Sequence, residues 1–540
     1  MLKDLKHLLY IYFAFVLLKI FISIFVQAPM GFADSYVYVR IARSIFFEHS
    51  FFFDNVSYTL YPPGYPALIS SAFLAPTMGS VFFVIKIINS LVITASLFPL
   101  YFLAKDFLTE KKALMASSVA ICLPPFLAFN VYPLSENLFY PLVLGFIFLL
   151  YRACLLNSTR YFSWAGLFLG VMMLVKFNAV ALFVSSFALF IIYLFKKEIS
   201  FKNMILFYSL AGLALLPWFL RNLLHFGFSL NGLLGRYILE VPNAGGGAHS
   251  LSSIFIWLFL YLSYSILATG IFSLPVFFKG LLVIKEEKLK LFLTIVILAF
   301  LAFILLASVH SGWFENWEDN RPMGRYLEQS FPLIILGAFV LFDKNIQPGF
   351  TRKEIFLAIL AALPAYFLLG FKLYPLNNMS LAFLGIITYV SSMFAVTALF
   401  LFFGLLVLVK RINFKSFSYF LICFLLLGNL ANFAMIYYSS QQDWLYRDEA
   451  VMGRWIDANL GKDDVIGVPV EEHGFCKIGV SRSASILYSG LYFKNKIVCI
   501  DGLSDYDYIL TANALNHTKL ASFGETAIYG KLPAQVTPIE

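Results

Sequence analysis

Leu291–Ser308 reads LFLTIVILAFLAFILLAS, eighteen residues without a charge. At about 1.5 Å of rise per residue such a helix is about 27 Å long, close to the ~30 Å hydrocarbon thickness of a bilayer. Comparable apolar runs lie near 8–26, 81–104, 113–130, 137–153, 161–177, 179–195, 203–221, 260–283, 327–342, 355–372, 383–409 and 416–437. These thirteen segments predict an all-α polytopic membrane protein. Composition agrees, with 61% hydrophobic and 13% charged residues, where soluble domains carry about 25% charged residues. The 62 Phe and 30 Tyr suit lipid-facing helices with aromatic interfaces and do not point to nucleic acid.

The net charge of +9 is explained by where the basic residues fall. The first span follows Met1-Leu-Lys-Asp-Leu-Lys without a small-residue cleavage motif, so it reads as a retained helix with a cytoplasmic start. Alternating the spans from there puts Lys105/Lys111/Lys112, Arg152/Arg160, Lys196/Lys197/Lys202, Lys285/Lys288/Lys290, Lys344/Arg352/Lys353 and Lys410/Arg411/Lys415 in the cytoplasm. Six basic loops on one side follow the positive-inside rule and place the C-terminus outside. The apolar stretch Pro62–Met78 would invert every later loop if it crossed. Its 17 residues carry four prolines, so it reads as re-entrant or interfacial.

After Tyr437 the composition turns polar. The chain therefore divides into a transmembrane catalytic region, 1–437, with a first outer loop at 27–80 carrying interfacial helices, and an extracytoplasmic α/β domain, 438–540. In the latter an amphipathic helix is predicted at 447–460 and short strands at 465–470, 496–500, 508–511 and 526–529. Cys476 and Cys499 both lie there, as a disulfide in an oxidising compartment or as two thiols. The other cysteines show no metal-ligand spacing.

The candidate chemistry gathers on the outer side. The first outer loop holds Ala33-Asp-Ser-Tyr-Val-Tyr-Val-Arg-Ile-Ala-Arg-Ser, with Asp34, Tyr38, Ile41 and Ile45 at helical spacing. A plain structural reading makes Asp34 a helix cap and Arg40 and Arg43 headgroup anchors. Tyr61-Pro-Pro-Gly-Tyr-Pro follows, and then Tyr132-Pro-Leu-Ser-Glu-Asn. Glu136 enters an apolar helix there, which is costly unless the carboxylate is paired or meets water. Arg221, Arg321 and Arg325 end or begin outer segments, where guanidinium forks can grip phosphate or anchor to headgroups. Lys86 and Lys176 sit in the outer parts of their spans, as phosphate partners or as snorkelling lysines. His225, His249 and His310 read as surface histidines, Gly245-Gly-Gly as a linker, and Asn55-Val-Ser, Asn378-Met-Ser and Asn516-His-Thr as outer-side sequon matches.

Taken in order, these segments resemble the GT-C superfamily of membrane glycosyltransferases, in the branch that contains protein O-mannosyltransferases and the transferase that adds aminoarabinose to lipid A. The likeness lies in Asp34 with Tyr38 at i+4 and Arg43 at i+9, in Pro62-Pro63, in Glu136, in Pro217-Trp-Phe-Leu-Arg-Asn, and in Arg325-Tyr-Leu. Many relatives have Asp-Glu at Asp34-Ser35 and a Lys at Tyr61, and these departures leave a divalent metal an open question. The resemblance implies a GT-C fold, a polyprenyl-phosphate-sugar donor, inverting transfer, and a glycan, lipid or protein acceptor. It casts Asp34 and Glu136 as the catalytic carboxylates and Tyr38, Arg43, Tyr61, Lys86, Lys176, Arg221, Arg321 and Arg325 as substrate-binding. The rival from another class is a flippase or transporter of lipid-linked glycans. Such folds often carry inverted repeats, and the sequence shows no internal repeat. A non-catalytic membrane subunit is a second rival.

Overall fold

The computed structural model describes residues 2–28, 33–54, 56–57, 61–228, 251–313, 322–344, 352–364, 377–382, 414–470, 489–500, 506–511, 515, 518–524 and 526–530. Arg321, Cys476, His249, Asn55, Asn516, Gly245-Gly-Gly, Lys410 and Arg411 lie outside these residues, as do the 383–409 span and the second half of the 355–372 span.

Among the described residues eight helices are long and apolar enough to cross a membrane: Leu5–Ile24, Met78–Lys105, Glu136–Leu156, Phe177–Phe195, Phe201–His225, Leu251–Ala268, Glu287–Gly312 and Lys415–Tyr446. A ninth results if Glu110–Ala120 and Pro124–Val131, bent by 74° at their junction, count as one. The bend follows from Pro124-Pro125: Leu123, ahead of the first proline, is driven out of the helical region to ψ 137°. The segments expected at 161–177 and 327–342 form the shorter helices Thr159–Met173 and Phe331–Asp343. The single span expected at 260–283 is corrected to two helices, Leu251–Ala268 and Ser273–Val283. Between them Gly270 and Ile271 take φ of +77° and +62°. Glycine adopts that region freely, and the helix breaks there. Gly64–Leu74, eleven residues within the proline-rich stretch, is too short to cross.

By contact the chain forms two compact units, one of 1–17, 91–129 and 136–435, the other of 18–90, 130–135 and 436–540. In the first, helix Thr159–Met173 packs on both Glu136–Leu156 and Phe201–Phe226, and Val180–Phe195 packs on Glu287–Trp313. In the second, helix Ala33–Glu48 packs on Gly64–Ile69 and on strand β1 (Phe52–Phe53), which pairs antiparallel with β2 (Val56–Ser57) in a short hairpin.

The second unit also holds a five-stranded sheet made of β3 (Val465–Pro469), β4 (Lys496–Ile500), β5 (Tyr508–Thr511), β6 (Lys519–Phe523) and β7 (Thr526–Gly530), in the order β4-β3-β5-β7-β6. β3 pairs in parallel with β4 and β5, and β7 pairs antiparallel with β5 and β6. Ile466 and Val468 alternate onto the buried face, where Met452, Trp455 and Ile456 of helix Asp448–Asn459 cover them along with Ile497, Leu510 and Ile528. The helical membrane region with a small C-terminal α/β sheet is thus as the sequence reading expects. β6 is an addition to it. Cys499 is disulfide-bonded.

Candidate active site

Asp34 sits in the first turn of helix Ala33–Glu48, where a carboxylate is favoured by the helix dipole. Tyr61, brought beside it by the chain just ahead of the proline pair, donates its hydroxyl to Asp34 Oδ1 at 2.5 Å. One turn along the helix, Tyr38 packs edge-on against the rings of Tyr61 (5.2 Å) and Tyr65 (5.3 Å). Its hydroxyl donates to Ser135 Oγ at 2.9 Å. The sequence-predicted Asp34, Tyr38 and Tyr61 are therefore together in one aromatic-walled cluster, all within the second unit.

Arg43 is placed elsewhere. Nine residues are two and a half turns, so it projects from the side of the helix opposite Asp34. Its Nη1 donates to Glu48 at 2.7 Å and its Nε to the Lys494 carbonyl. Burial, and then the charge of Arg40, lower the Arg43 guanidinium to about 10. Arg40 is 2% exposed and pairs with Asp54 at 2.7 Å. Reading these two arginines as headgroup anchors is corrected: an anchor keeps its charge at the surface, and both are buried. Lys86 is also committed within the protein, donating to the carbonyls of Ser23 (3.2 Å) and Val26 just past the first helix.

The first unit carries its own cluster. Glu136, at the start of helix Glu136–Leu156, is fully buried, and its Oε1 accepts from Lys176 Nζ at 2.5 Å and from Arg325 Nη1 at 3.4 Å. Both cations lie over the ring of Tyr326, Lys176 at 5.7 Å and Arg325 at 5.9 Å. His310, expected at the surface, meets the same ring edge-on at 5.0 Å. Two cations thus meet on one buried carboxylate. Arg221 donates to Asn222 Oδ1 and stacks on Trp218 at 4.6 Å.

Residues to which the sequence reading gave no part in the site hold Arg325 in place. It lies in the tight turn Gly324–Tyr326, whose backbone is tied by Tyr140 O–H to the Arg325 carbonyl (3.1 Å) and by Gly324 N–H to Asn378 Oδ1 (3.0 Å). Glu328, fully buried, accepts from Tyr264 O–H at 2.7 Å and Ser380 N–H at 2.8 Å. Asn378 also donates to the Pro322 carbonyl at 2.8 Å and is itself fully buried, so its sequon match is a structural asparagine and not a glycan acceptor. Glu328, a charge at the mouth of an apolar run, was the one available signal. Among the described residues no three His, Cys, Asp or Glu side chains gather as a metal-binding group.

Residues 61–223 match the family model described as dolichyl-phosphate-mannose-protein mannosyltransferase. That stretch includes Tyr61, Lys86, Glu136, Lys176 and Arg221 and leaves Asp34 and Arg325 outside it. The crystal structure of ArnT from Cupriavidus metallidurans bound to undecaprenyl phosphate aligns over 98% of this chain and 99% of its own, with TM-score 0.62 at 13% identity. The chain has the fold of ArnT. The apo state of the same ArnT aligns over 97% of this chain and 98% of its own, with TM-score 0.56 at 11% identity. No curated protein matches the chain by sequence. The likeness to ArnT extends along nearly the entire chain as a shared fold.

Proposed function

We propose that this chain is a glycosyltransferase that moves a sugar, with inversion, from a polyprenyl-phosphate carrier to an acceptor hydroxyl on the extracytoplasmic face of the membrane. The observation that carries the reading is the buried Glu136 with Lys176 and Arg325 upon it, a cationic pair suited to phosphate, in a chain of GT-C fold. The acceptor oxygen attacks the anomeric carbon as the bond from that carbon to the phosphate oxygen breaks. The electron pair leaves with the polyprenyl phosphate, and the acceptor proton passes to Asp34. The Tyr61 hydroxyl holds the Asp34 carboxylate in orientation. Lys176 and Arg325, with Arg321 and Arg221 as further phosphate partners, stabilise the charge developing on the leaving group. Glu136 acts by organising those cations, since its Oε1 is already engaged by both. Lys86 leaves the phosphate set because its ammonium is spent on carbonyls.

Purified protein incubated with a panel of radiolabelled polyprenyl-phosphate sugars is expected to release or transfer the label from at least one of them. Movement of an intact lipid-linked sugar across a vesicle, with the sugar-phosphate bond unbroken, would instead establish the flippase.

The outward placement of the site rests on the six basic loops and on the disulfide at Cys499, which suits an oxidising compartment. In intact cells a tag after Glu540 is expected to react with an impermeant probe, while Lys111→Cys is protected. The reverse pattern would put the chemistry on the cytoplasmic side.

A further inference from the structure

Helix Ala33–Glu48 has two unlike faces. At about 100° per residue, Asp34, Tyr38, Ile41 and Ile45 share one side, and Tyr36, Arg40 and Arg43 share the opposite one. The second side is polar and charged, yet Tyr36 is 0%, Arg40 2% and Arg43 7% exposed. Burying a guanidinium is costly unless its donors and its charge are matched. Here the charges are met by Asp54 and Glu48, and the remaining donors by one short piece of the C-terminal domain. Arg40 donates from Nη2 to the Asn495 carbonyl (2.9 Å) and from Nη1 to those of Phe493 (3.3 Å) and Gly490 (3.5 Å). Its charge is met by Asp54 Oδ1 at 2.7 Å, while Tyr36 donates to Asp54 Oδ2 at 2.7 Å. Arg43 takes the Lys494 carbonyl, and the Lys494 ammonium in turn donates to the Ala75 carbonyl, beyond the short apolar helix. Gly490 lies so close that a Cβ there would come within 2.7 Å of the Tyr36 ring.

Four carbonyls of the segment 489–495 are therefore held by a single face of the helix whose other face carries Asp34. A helix turns as a unit, so whatever fixes the rotation of the arginine-bearing face also fixes the carboxylate. We infer that segment 489–495 is a latch that sets the position of Asp34, with Arg40 as its positioning residue, so that the C-terminal domain serves the chemical step without supplying a reacting group. This rests on the reading of Asp34 as the base.

The test uses the full-length protein. Arg40→Gln and Asp54→Asn, made together, remove both charges and strand neither. Turnover is expected to fall roughly ten- to hundredfold, the penalty of a misplaced catalytic group. Donor binding, read with a labelled polyprenyl-phosphate sugar, should change less than twofold, and amide hydrogen exchange across residues 34–46 should accelerate. Gly490→Ala drives the same faces apart with every charge intact and should reproduce both effects. In an Asp34→Asn background the paired change should lower the residual activity by less than twofold, because nothing is left to position. Unchanged turnover in both folded variants, unchanged exchange in the helix, or an equal loss of donor binding would overturn the latch. If Asp34→Asn alone transfers normally, the base assignment fails, while faster exchange in the Arg40 and Gly490 variants still reports the latch.

Discussion

Asp34→Asn is expected to lower transfer by about a hundred- to ten-thousandfold, the range a positioned general base contributes, with binding of the lipid-phosphate sugar nearly unchanged. The substitution separates chemistry from architecture because asparagine keeps the size of the side chain and its carbonyl can still accept the Tyr61 hydroxyl, which now donates to Asp34 Oδ1 at 2.5 Å. It also caps a helix about as well as aspartate, so a purely structural Asp34 would tolerate it at a cost of a few tenths of a kcal/mol. What the amide lacks is an oxygen basic enough to take the acceptor proton. Steady-state transfer measured beside equilibrium donor binding decides the matter. Near-normal transfer by a well-folded variant would remove the base from Asp34. Glu136 is a poor successor, since it already holds Lys176 and Arg325.

Why some of this was legible in the sequence and some was not follows from the range of the interactions involved. The helix carrying Asp34 was readable because Asp34, Tyr38, Ile41 and Ile45 keep a helical period over a dozen residues. Strands β3, β4, β5 and β7 were readable from their β-branched and aromatic runs, whereas β6, Lys-Leu-Ala-Ser-Phe, lacks them and gains its place only by pairing with β7. The break at Gly270 was hidden within an apolar run, where hydropathy cannot distinguish one helix from two. Arg40 was the instructive failure. An arginine on an interfacial helix ordinarily reads as a headgroup anchor, and its carbonyl partners lie some 450 residues away in the chain. Its companion Asp54 offered no signal, because the pairing depends on a hairpin only a few residues long. Glu136 was legible as a costly carboxylate, but the identity of its two cations required the fold.

Arg325→Ala should behave differently from Asp34→Asn, weakening donor binding and turnover together. A phosphate partner acts in the ground state and more strongly in the transition state, as charge builds on the leaving oxygens. The loss of one hydrogen bond to a charged group is about 1.5–3 kcal/mol, or roughly ten- to more than a hundredfold in kcat/KM. The protein should remain folded. Lys176 stays on Glu136, so the buried carboxylate keeps a counter-charge, and the turn is held through backbone atoms by Tyr140 and Asn378. Glu136→Ala lacks that protection. It strands two cations near a fully buried position, where removing one partner of a buried pair costs about 3–5 kcal/mol, and it should lose thermal stability before its activity can be interpreted. Arg325→Lys, which keeps the charge but not the planar fork, should recover part of the affinity. Equilibrium binding of labelled polyprenyl phosphate, taken beside transfer kinetics and a melting curve for each variant, separates these cases. An unaltered donor affinity in a folded Arg325→Ala protein would mean that Arg325 serves Glu136 alone, and the phosphate would then have to be met by Lys176 and Arg321.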